Sequence, residues 1–477
     1  MALAGGLHKI INAKLEEYKK FLSNKKIAVI GLGVSNTPLV KYVAGLGADV
    51  SVFDMSDEGR LSRFVDDLRG LDIKLSLGPD YLEGLAGFDV VFKTPVVRHD
   101  NPAILAEKAR GAIITSEMEA FLELCPAKTI GVTGSNGKTT TTTLIYEMLM
   151  EEGVNCRLGG NIGIPLFDKL DEISKDDLIV LELSSFQLQT IRKSTDIAVV
   201  TNLSPNHLDV HKSYEEYVDS KRNIYVHQGE GSLCILNNDC PETPFLRKSV
   251  RGKLALFSLS GAISGPGHSN SAIVSDGAIF HDDEQLMKVG DIKLKGAHNI
   301  ENFLAAICAV SGFVKKSSIQ KVASTFAGVE HRLEQVRSIG GVVFFNDSIA
   351  TSPERTIACL NSFDSKVILI AGGKDKNLDF SVLGEYLYEK VKALVLCGQT
   401  SGAIRDSLLS YCAKSGVGCT TRIIECGSLA DAVNIAWQNS SSGDNIVLSP
   451  ASTSFDQFRN FEERGRLFKE TVNAILT

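Results

Sequence analysis

Residues Val132-Thr133-Gly134-Ser135-Asn136-Gly137-Lys138 read VTGSNGK, and five threonines, Thr139 to Thr143, follow before LIYEML. The apolar run KTIGVT ahead of the glycines and the apolar spacing behind them predict strand, glycine turn and helix. Threonine is a mediocre helix former because its branched β-carbon restricts the side chain, so five of them need a reason. A turn of this layout holds phosphate. Gly134 and Gly137 let the backbone turn tightly and aim its N–H groups inward, with Ser135 and Asn136 between them. The helix N-terminus adds a partial positive charge and Lys138 a full one. The hydroxyl of Thr139, with Thr140 beside it, is suited to Mg2+ or a phosphate oxygen. The spacing G-x-x-x-x-G-K-[ST] asks for glycine at 132, where this chain has Val132, so only the shorter G-x-x-G-K-T remains. The alternative is a polar turn capped by threonine. Strand, turn and helix in that order favour phosphate, and Thr141 to Thr143 stay without a role.

Downstream, DLIVLELSSFQL puts Glu182 at the end of an apolar run. At the carboxyl end of a buried parallel strand, a carboxylate either holds Mg2+ through oxygen or is an ordinary polar terminator. In TNLSPNHLDVHKSYEEYVDSKRNIY, His207 and His211 lie four apart, but Leu208 stands where a zinc protease needs glutamate, so that chemistry is rejected. Taken alone, His207 reads as structural and Lys221 as a solvated helix residue.

Around this stretch the chain resolves into three α/β blocks. The first has the strand–glycine turn–helix–strand unit KIAVIGLGVSNTPLVKYVAGLGADVSVFD, ending at Asp54, then strands in DVVFKTP and GAIITS. The second closes with the helix NIENFLAAICAVSGF and contains the Gly/Ser-rich SLSGAISGPGHSNSAIVSDG, read as turns between short strands or a mobile loop. The third has strands in GVVFFNDS, KVILIAGGKDK, ALVLCGQT and NIVLSPAST separated by helical patterns, as in a parallel sheet. The boundaries fall at residues 1–117 (with 1–25 a helical extension), 118–328 and 329–477.

A net charge of −7 removes any global electrostatic reason to bind nucleic acid or an anionic membrane. No apolar run approaches the roughly 20 residues of a membrane span. The opening MALAGGLHKIINAKLEEYKK lacks the apolar core of a signal peptide and reads as a short surface helix. Ten scattered cysteines without a CxxC pair read as thiols in a reducing compartment, so a cytoplasmic chain is expected.

Taken in order, TGSNGKTTT, LELSSFQL, NHLDVH, SKRNIY, GAHNIENF and EHRLE resemble the Mur ligases of bacterial cell-wall synthesis, over about residues 26 to 468. The resemblance implies a Rossmann-like N-terminal domain for the UDP-substrate, a central P-loop ATPase-like domain and a Rossmann-like C-terminal domain for the amino acid. LSSFQL and SPASTSFDQFRNFEERG are similar to the members that join D-glutamate to UDP-N-acetylmuramoyl-L-alanine. The Asp-Asn-Pro-Arg motif of diaminopimelate-adding members is absent. It also implies ATP and two Mg2+ ions, with Thr139, Glu182 and His207 as ligands and Lys221 as a further ligand once carbamylated. By the same resemblance Asn302 contacts adenine, with Asn299 near the nucleotide, while Arg332 reaches ATP phosphate and Asp347 the ribose. Ser35, Asp54 and Asn161 serve the UDP-substrate, and Lys376, Ser454 and Phe461 hold D-glutamate. A monomer is expected, its third domain closing over the second about a hinge at residues 328–333.

Two departures stand out. The family's Asp-Ser-Lys-Ala-Thr is here NDSIATSPERT, with Ile349 for the lysine; either Lys374 or Arg355 compensates, or the amino-acid pocket is built differently. In GLGVSN, Asn36 replaces the third glycine of a dinucleotide fingerprint. The rivals are a folylpolyglutamate synthase-like ligase, a dinucleotide-binding oxidoreductase resting on GLGVSN alone, and a P-loop switch or motor that only hydrolyses nucleotide.

Overall fold

The computed structural model describes residues 12–206, 210–261, 263, 269–375 and 378–476. The chain divides between Phe326 and Ala327 into two compact units, the first carrying two sheets and the second one. The first sheet is wholly parallel, in the order Ile73–Leu77, Asp49–Asp54, Lys26–Ile30, Val90–Lys93, Ile113–Thr115. Its central strands, KIAVI and VVFK, are near-continuous apolar runs because helices cover both faces of such a sheet. The order reverses between Lys26–Ile30 and Val90–Lys93, which opens a crevice at their carboxyl ends.

The second sheet has nine strands. Lys128–Thr133 lies between Leu178–Glu182 and Ile197–Val200, all parallel, while the distant edge ends in antiparallel strands Ala272–Ser275, Ala278–His281 and Glu284–Lys288. The Gly/Ser-rich segment therefore feeds a short-stranded edge; residues 262 and 264–268 of it lie outside the described residues. The helices Lys138–Glu152 and Ala297–Val310 cover one face, burying Leu144, Ile145, Met148, Phe303 and Ala306 in one cluster with Val132 and Val180.

The helix Ala13–Leu22 is less superficial than its sequence suggests. Leu15 and Leu22, seven apart and so on one face, are fully buried, and Asn12 both caps the helix and donates Nδ2 to the Leu124 carbonyl at 2.7 Å. Burying each leucine contributes roughly 1.5–3 kcal/mol. Phe167, in the connection between strands Cys156–Gly160 and Leu178–Glu182 of the second sheet, packs edge-on against Tyr42 and Phe92 and ties that connection to the first sheet within one apolar cluster.

In the second unit, Val342–Asn346, Asn445–Leu448, Val367–Ala371, Val391–Cys397 and Arg422–Cys426 run parallel, with Glu334–Ile339 antiparallel at the edge. The parallel sheet read from the sequence is thus a mixed one. Its added edge strand follows directly on EHR, where His331 and Leu333 adopt φ of 64° and 47°. Such values are uncommon for residues with a β-carbon, so this connection is conformationally constrained.

Candidate active site

Val132, the residue that breaks the longer loop pattern, is a buried strand residue in register with Glu182. The turn begins after it. Gly134 has φ 150° and Gly137 φ 78°, and a β-carbon at either would collide with a neighbour, the Thr201 hydroxyl or the Asn302 carboxamide. The turn is held by the segment 201–204. Ser135 N donates to the Asn202 carbonyl, Asn136 N to Asn202 Oδ1 (both 2.9 Å), and Thr201 Oγ1 to the Asn136 carbonyl at 2.6 Å. Ser135 Oγ meets the Ser204 carbonyl and the Tyr217 hydroxyl at 2.9 and 2.8 Å. Sequence reasoning passed over Thr201, Asn202 and Tyr217, which lie 65 to 82 positions from their partners.

Lys138 Nζ donates to the Gly134 and Ser135 carbonyls, both at 2.9 Å, so its charge sits over the turn. The threonines now divide by role. Thr139 is buried at the helix start, Thr141 Oγ1 donates to Asn302 Oδ1 at 3.1 Å, and Thr142 and Thr143 donate back to the Lys138 and Thr139 carbonyls at 2.8 Å. Back-bonding of this kind lets a hydroxyl sit inside a helix without an unpaired donor. Asn302 is fastened in turn by the Asn299 side chain, whose Nδ2 donates to the Lys295 carbonyl at 2.8 Å.

Glu182 ends its strand fully shielded. Oε1 accepts from Asn161 Nδ2 at 2.7 Å, and Oε2 is buried with no hydrogen-bond partner among the described residues. An orphaned buried carboxylate oxygen is costly unless something else satisfies it, and a cation bound through oxygen does so. The residues therefore fit Mg2+. Lys221, also expected to serve the metal site, is 2% exposed, donating to the Gly134 carbonyl at 2.9 Å and Thr133 Oγ1 at 3.3 Å, with its ammonium 4.7 Å from the centre of the Tyr217 ring. Burial, and then the neighbouring Lys138, push its pKa well below that of an ordinary lysine, while Glu182 opposes the shift. His207 lies outside the described residues.

The first sheet carries a second glycine turn. Ser35 and Asp54 line one cleft of ≈380 Å³ at the carboxyl ends of the central strands, together with Lys93, Glu117 and the exposed side chains of Val34, Met55 and Val96. Asp54 holds the turn, accepting from Leu32 N and Ser56 N at 2.7 Å each. Asn36, which departs from the dinucleotide fingerprint, donates Nδ2 to the carbonyls of Ile30 and Gly31 at 3.2 and 2.8 Å and so pins the helix to the strand. Asn161, grouped by resemblance with Ser35 and Asp54, donates its Nδ2 to Glu182 Oε1 in the middle sheet.

In the second unit, Asp347 follows the strand Val342–Asn346. It accepts from Ser449 Oγ at 2.9 Å and Leu333 N at 3.2 Å, and burial raises its pKa to about 6 against the lowering by these bonds and by Arg332. Phe461 opens a helix; its carbonyl accepts from Ser348 Oγ at 2.7 Å and its ring stands edge-on to His331. Ser454 is buried nearby in sequence on the loop after Asn445–Leu448. Arg464, absent from the sequence reading, is buried and donates to Ser348 Oγ, the Ser348 carbonyl and the Ser452 carbonyl. Arg355 donates to the Ile349 carbonyl at 3.0 Å. Lys376 lies outside the described residues.

A phosphate-type glycine turn with an acidic strand end, in a chain of mainly parallel sheets, is the layout of a nucleotide-handling α/β enzyme, and comparison makes it a ligase. Residues 132–310 match the Mur ligase middle domain, and residues 331–452 the Mur ligase, glutamate ligase domain. The chain is 52% identical over 468 residues to the UDP-N-acetylmuramoylalanine--D-glutamate ligase of Acetivibrio thermocellus, covering 98% of this chain and 100% of that protein. It is 49% identical to the protein of the same name from Ruminiclostridium cellulolyticum, again over 98% and 100%. Among solved structures, it is similar in fold to a UDP-N-acetylmuramate-alanine ligase from Thermotoga maritima, with TM-score 0.54 and 19% identity over 94% of this chain and 100% of that one. The chain belongs to the Mur ligase family. No helix among the described residues is long and apolar enough to cross a membrane.

Proposed function

We propose that the chain joins D-glutamate to UDP-N-acetylmuramoyl-L-alanine at the expense of ATP, in the synthesis of peptidoglycan precursors. The observation that carries this reading is the near-full-length similarity to relatives of that name. The folate-type rival is not favoured, since these matches extend through the first sheet. Three domains, at residues 1–117, 118–328 and 329–477, divide the work in this reading. A Rossmann-like domain takes the UDP-substrate, a P-loop ATPase-like domain takes ATP, and a second Rossmann-like domain takes the amino acid. The protein acts as a cytoplasmic monomer.

Hydroxide is a poor leaving group, so the carboxylate needs activation. The carboxylate of the muramoyl-L-alanine attacks the γ-phosphorus of ATP, the bond to the β-bridging oxygen breaks, and an acyl phosphate and ADP result. The amine of D-glutamate then adds to the acyl carbon, loses a proton, and phosphate departs from the tetrahedral intermediate. Gly134 to Thr140 would cradle the phosphates, with Lys138 offsetting the repulsion between carboxylate and phosphate as charge moves. Mg2+, held by Thr139, Glu182, His207 and carbamylated Lys221, would neutralise phosphate charge. Support for carbamylation is that Lys221 is buried beside another cation, which favours the neutral amine able to add to carbon dioxide. Asn302, Arg332 and Asp347 would contact the nucleotide; Ser35, Asp54 and Asn161 the UDP-substrate; Lys376, Ser454 and Phe461 D-glutamate, with Arg355 or Lys374 in place of the missing lysine at 349.

The deciding experiment is phosphate release with ATP, Mg2+ and UDP-N-acetylmuramoyl-L-alanine, offering D-glutamate, L-glutamate, L-lysine and diaminopimelate in turn. Release with D-glutamate alone is expected. Release with another amino acid would move the specificity, and silence with all four would sink the muramoyl reading.

A further inference from the structure

We propose that Lys93 is the counter-charge for the diphosphate of the nucleotide-sugar substrate, a role that rests on the reading of the first-sheet cleft given above. The turn that opens this cleft, GLGVSNTP, contains no cation, whereas the phosphate turn of the middle sheet carries Lys138 within its own motif. Lys93 supplies the missing charge from the neighbouring strand. It is the last residue of Val90–Lys93, directly opposite Ile30 in the register, so it stands beside the point where the turn leaves its strand. Both it and turn residues 31–36 line the ≈380 Å³ cleft.

A lysine at a strand end is ordinarily solvated, yet Lys93 is only 3% exposed. A buried structural lysine ordinarily meets a carboxylate, and among the described residues Lys93 has no ion pair. Its Nζ donates to the Val97 carbonyl at 3.2 Å, and an ammonium has three hydrogens to give. Glu119 acts on it only through space, and burial dominates, pushing the amine down to about 8. The cost of burying an uncompensated cation is recovered when an anion occupies the cleft. In the first turn of the helix Asn36–Gly45, Pro38 has no N–H and Thr37 N is taken by the Gly33 carbonyl at 3.0 Å, so the helix favours the same anion chiefly through the partial positive charge of its N-terminus. Glu117, the other buried ionisable group on the cleft wall, is pushed up to about 7 by burial and so opposes an anion less than an ordinary glutamate would.

The test is calorimetric binding of UDP, uridine and ATP to the full-length protein and to Lys93→Met, which keeps the length of the side chain and removes its charge. The expected result is a loss of about ten- to a hundredfold in UDP affinity, the range of a charge-assisted hydrogen bond, with uridine and ATP unchanged. Equal UDP affinity in both proteins would overturn the proposal, as would parallel losses of UDP and uridine, which mark a role in cleft shape alone. Failure of the unaltered protein to bind UDP would instead overturn the nucleotide-sugar reading of the cleft, and this proposal with it. Should the variant lose ATP as well, Lys93→Arg decides: a retained preference for UDP over uridine supports the proposal, and its disappearance overturns it.

Discussion

Two glycine turns of the first unit perform the same geometric task by different means. Each follows a central parallel strand and opens a helix, one at residues 31–35 and the other at 134–137. The middle-sheet turn is self-sufficient in charge, because Lys138 begins its helix and folds back over the turn's carbonyls. The first-sheet turn is held by Asp54 on the next strand and by Asn36, which directly follows it, with Lys93 on the opposite side. A motif that carries its own charge is visible as a string of letters. One that borrows it across a sheet is not.

The largest effect that would break the comparison is expected from Lys138→Met. Phosphate release should fall by at least about a thousandfold, as for loss of a preorganised charge at a transferring phosphoryl group. UDP binding measured on the same protein should be unchanged; a joint loss would mean the two turns are not independent. Next come the glycines. Gly31→Ala and Gly137→Ala each place a β-carbon at positive φ, against Thr94 and the Asn302 carboxamide respectively. Both should cost about 2 kcal/mol or more in urea unfolding. Gly33, whose added β-carbon meets nothing within 4 Å, should accept alanine within about 0.5 kcal/mol.

Asp347 extends the comparison to a strand end of the second unit. Burial raises its pKa to about 6, so it is mostly ionised at pH 7 and mostly protonated at pH 5. If its carboxylate accepts from the ribose, the KM for ATP should rise about tenfold as pH falls from 7 to 5, following the loss of the ionised form. In Asp347→Asn that segment of the profile should flatten; an unchanged slope would move the titration to another group. The smallest effect is at Thr141→Val, which leaves Asn302 Oδ1 without its donor and should cost about 1 kcal/mol in the same urea assay.

Much of the site was legible because its chemistry is local. Gly134, Gly137, Lys138 and Thr139 fall within six consecutive positions, and Glu182 announces itself at the end of four buried apolar letters. Lys221 was not legible from spacing: its helix position suggests a solvated residue, and only the resemblance singled it out. The structure buries it because the helix Tyr214–Arg222 packs it beneath the turn, against Thr133 and Tyr217. The last three threonines were opaque for a related reason. Thr142 and Thr143 bond within the helix, but Thr141 faces Asn302, 161 positions away.

By itself, then, the amino-acid sequence determined the run of α/β units, the phosphate turn and the family resemblance, since these depend on apolar periodicity and on residues within one turn of each other. Tertiary structure alone decided that Val132 pairs in register with Glu182, that Glu182 keeps one oxygen unsatisfied, that an antiparallel strand edges the third sheet, and that Lys93 and Lys221 are buried. Burial and counter-charge depend on which distant segments pack against a residue, and no local pattern encodes that neighbourhood.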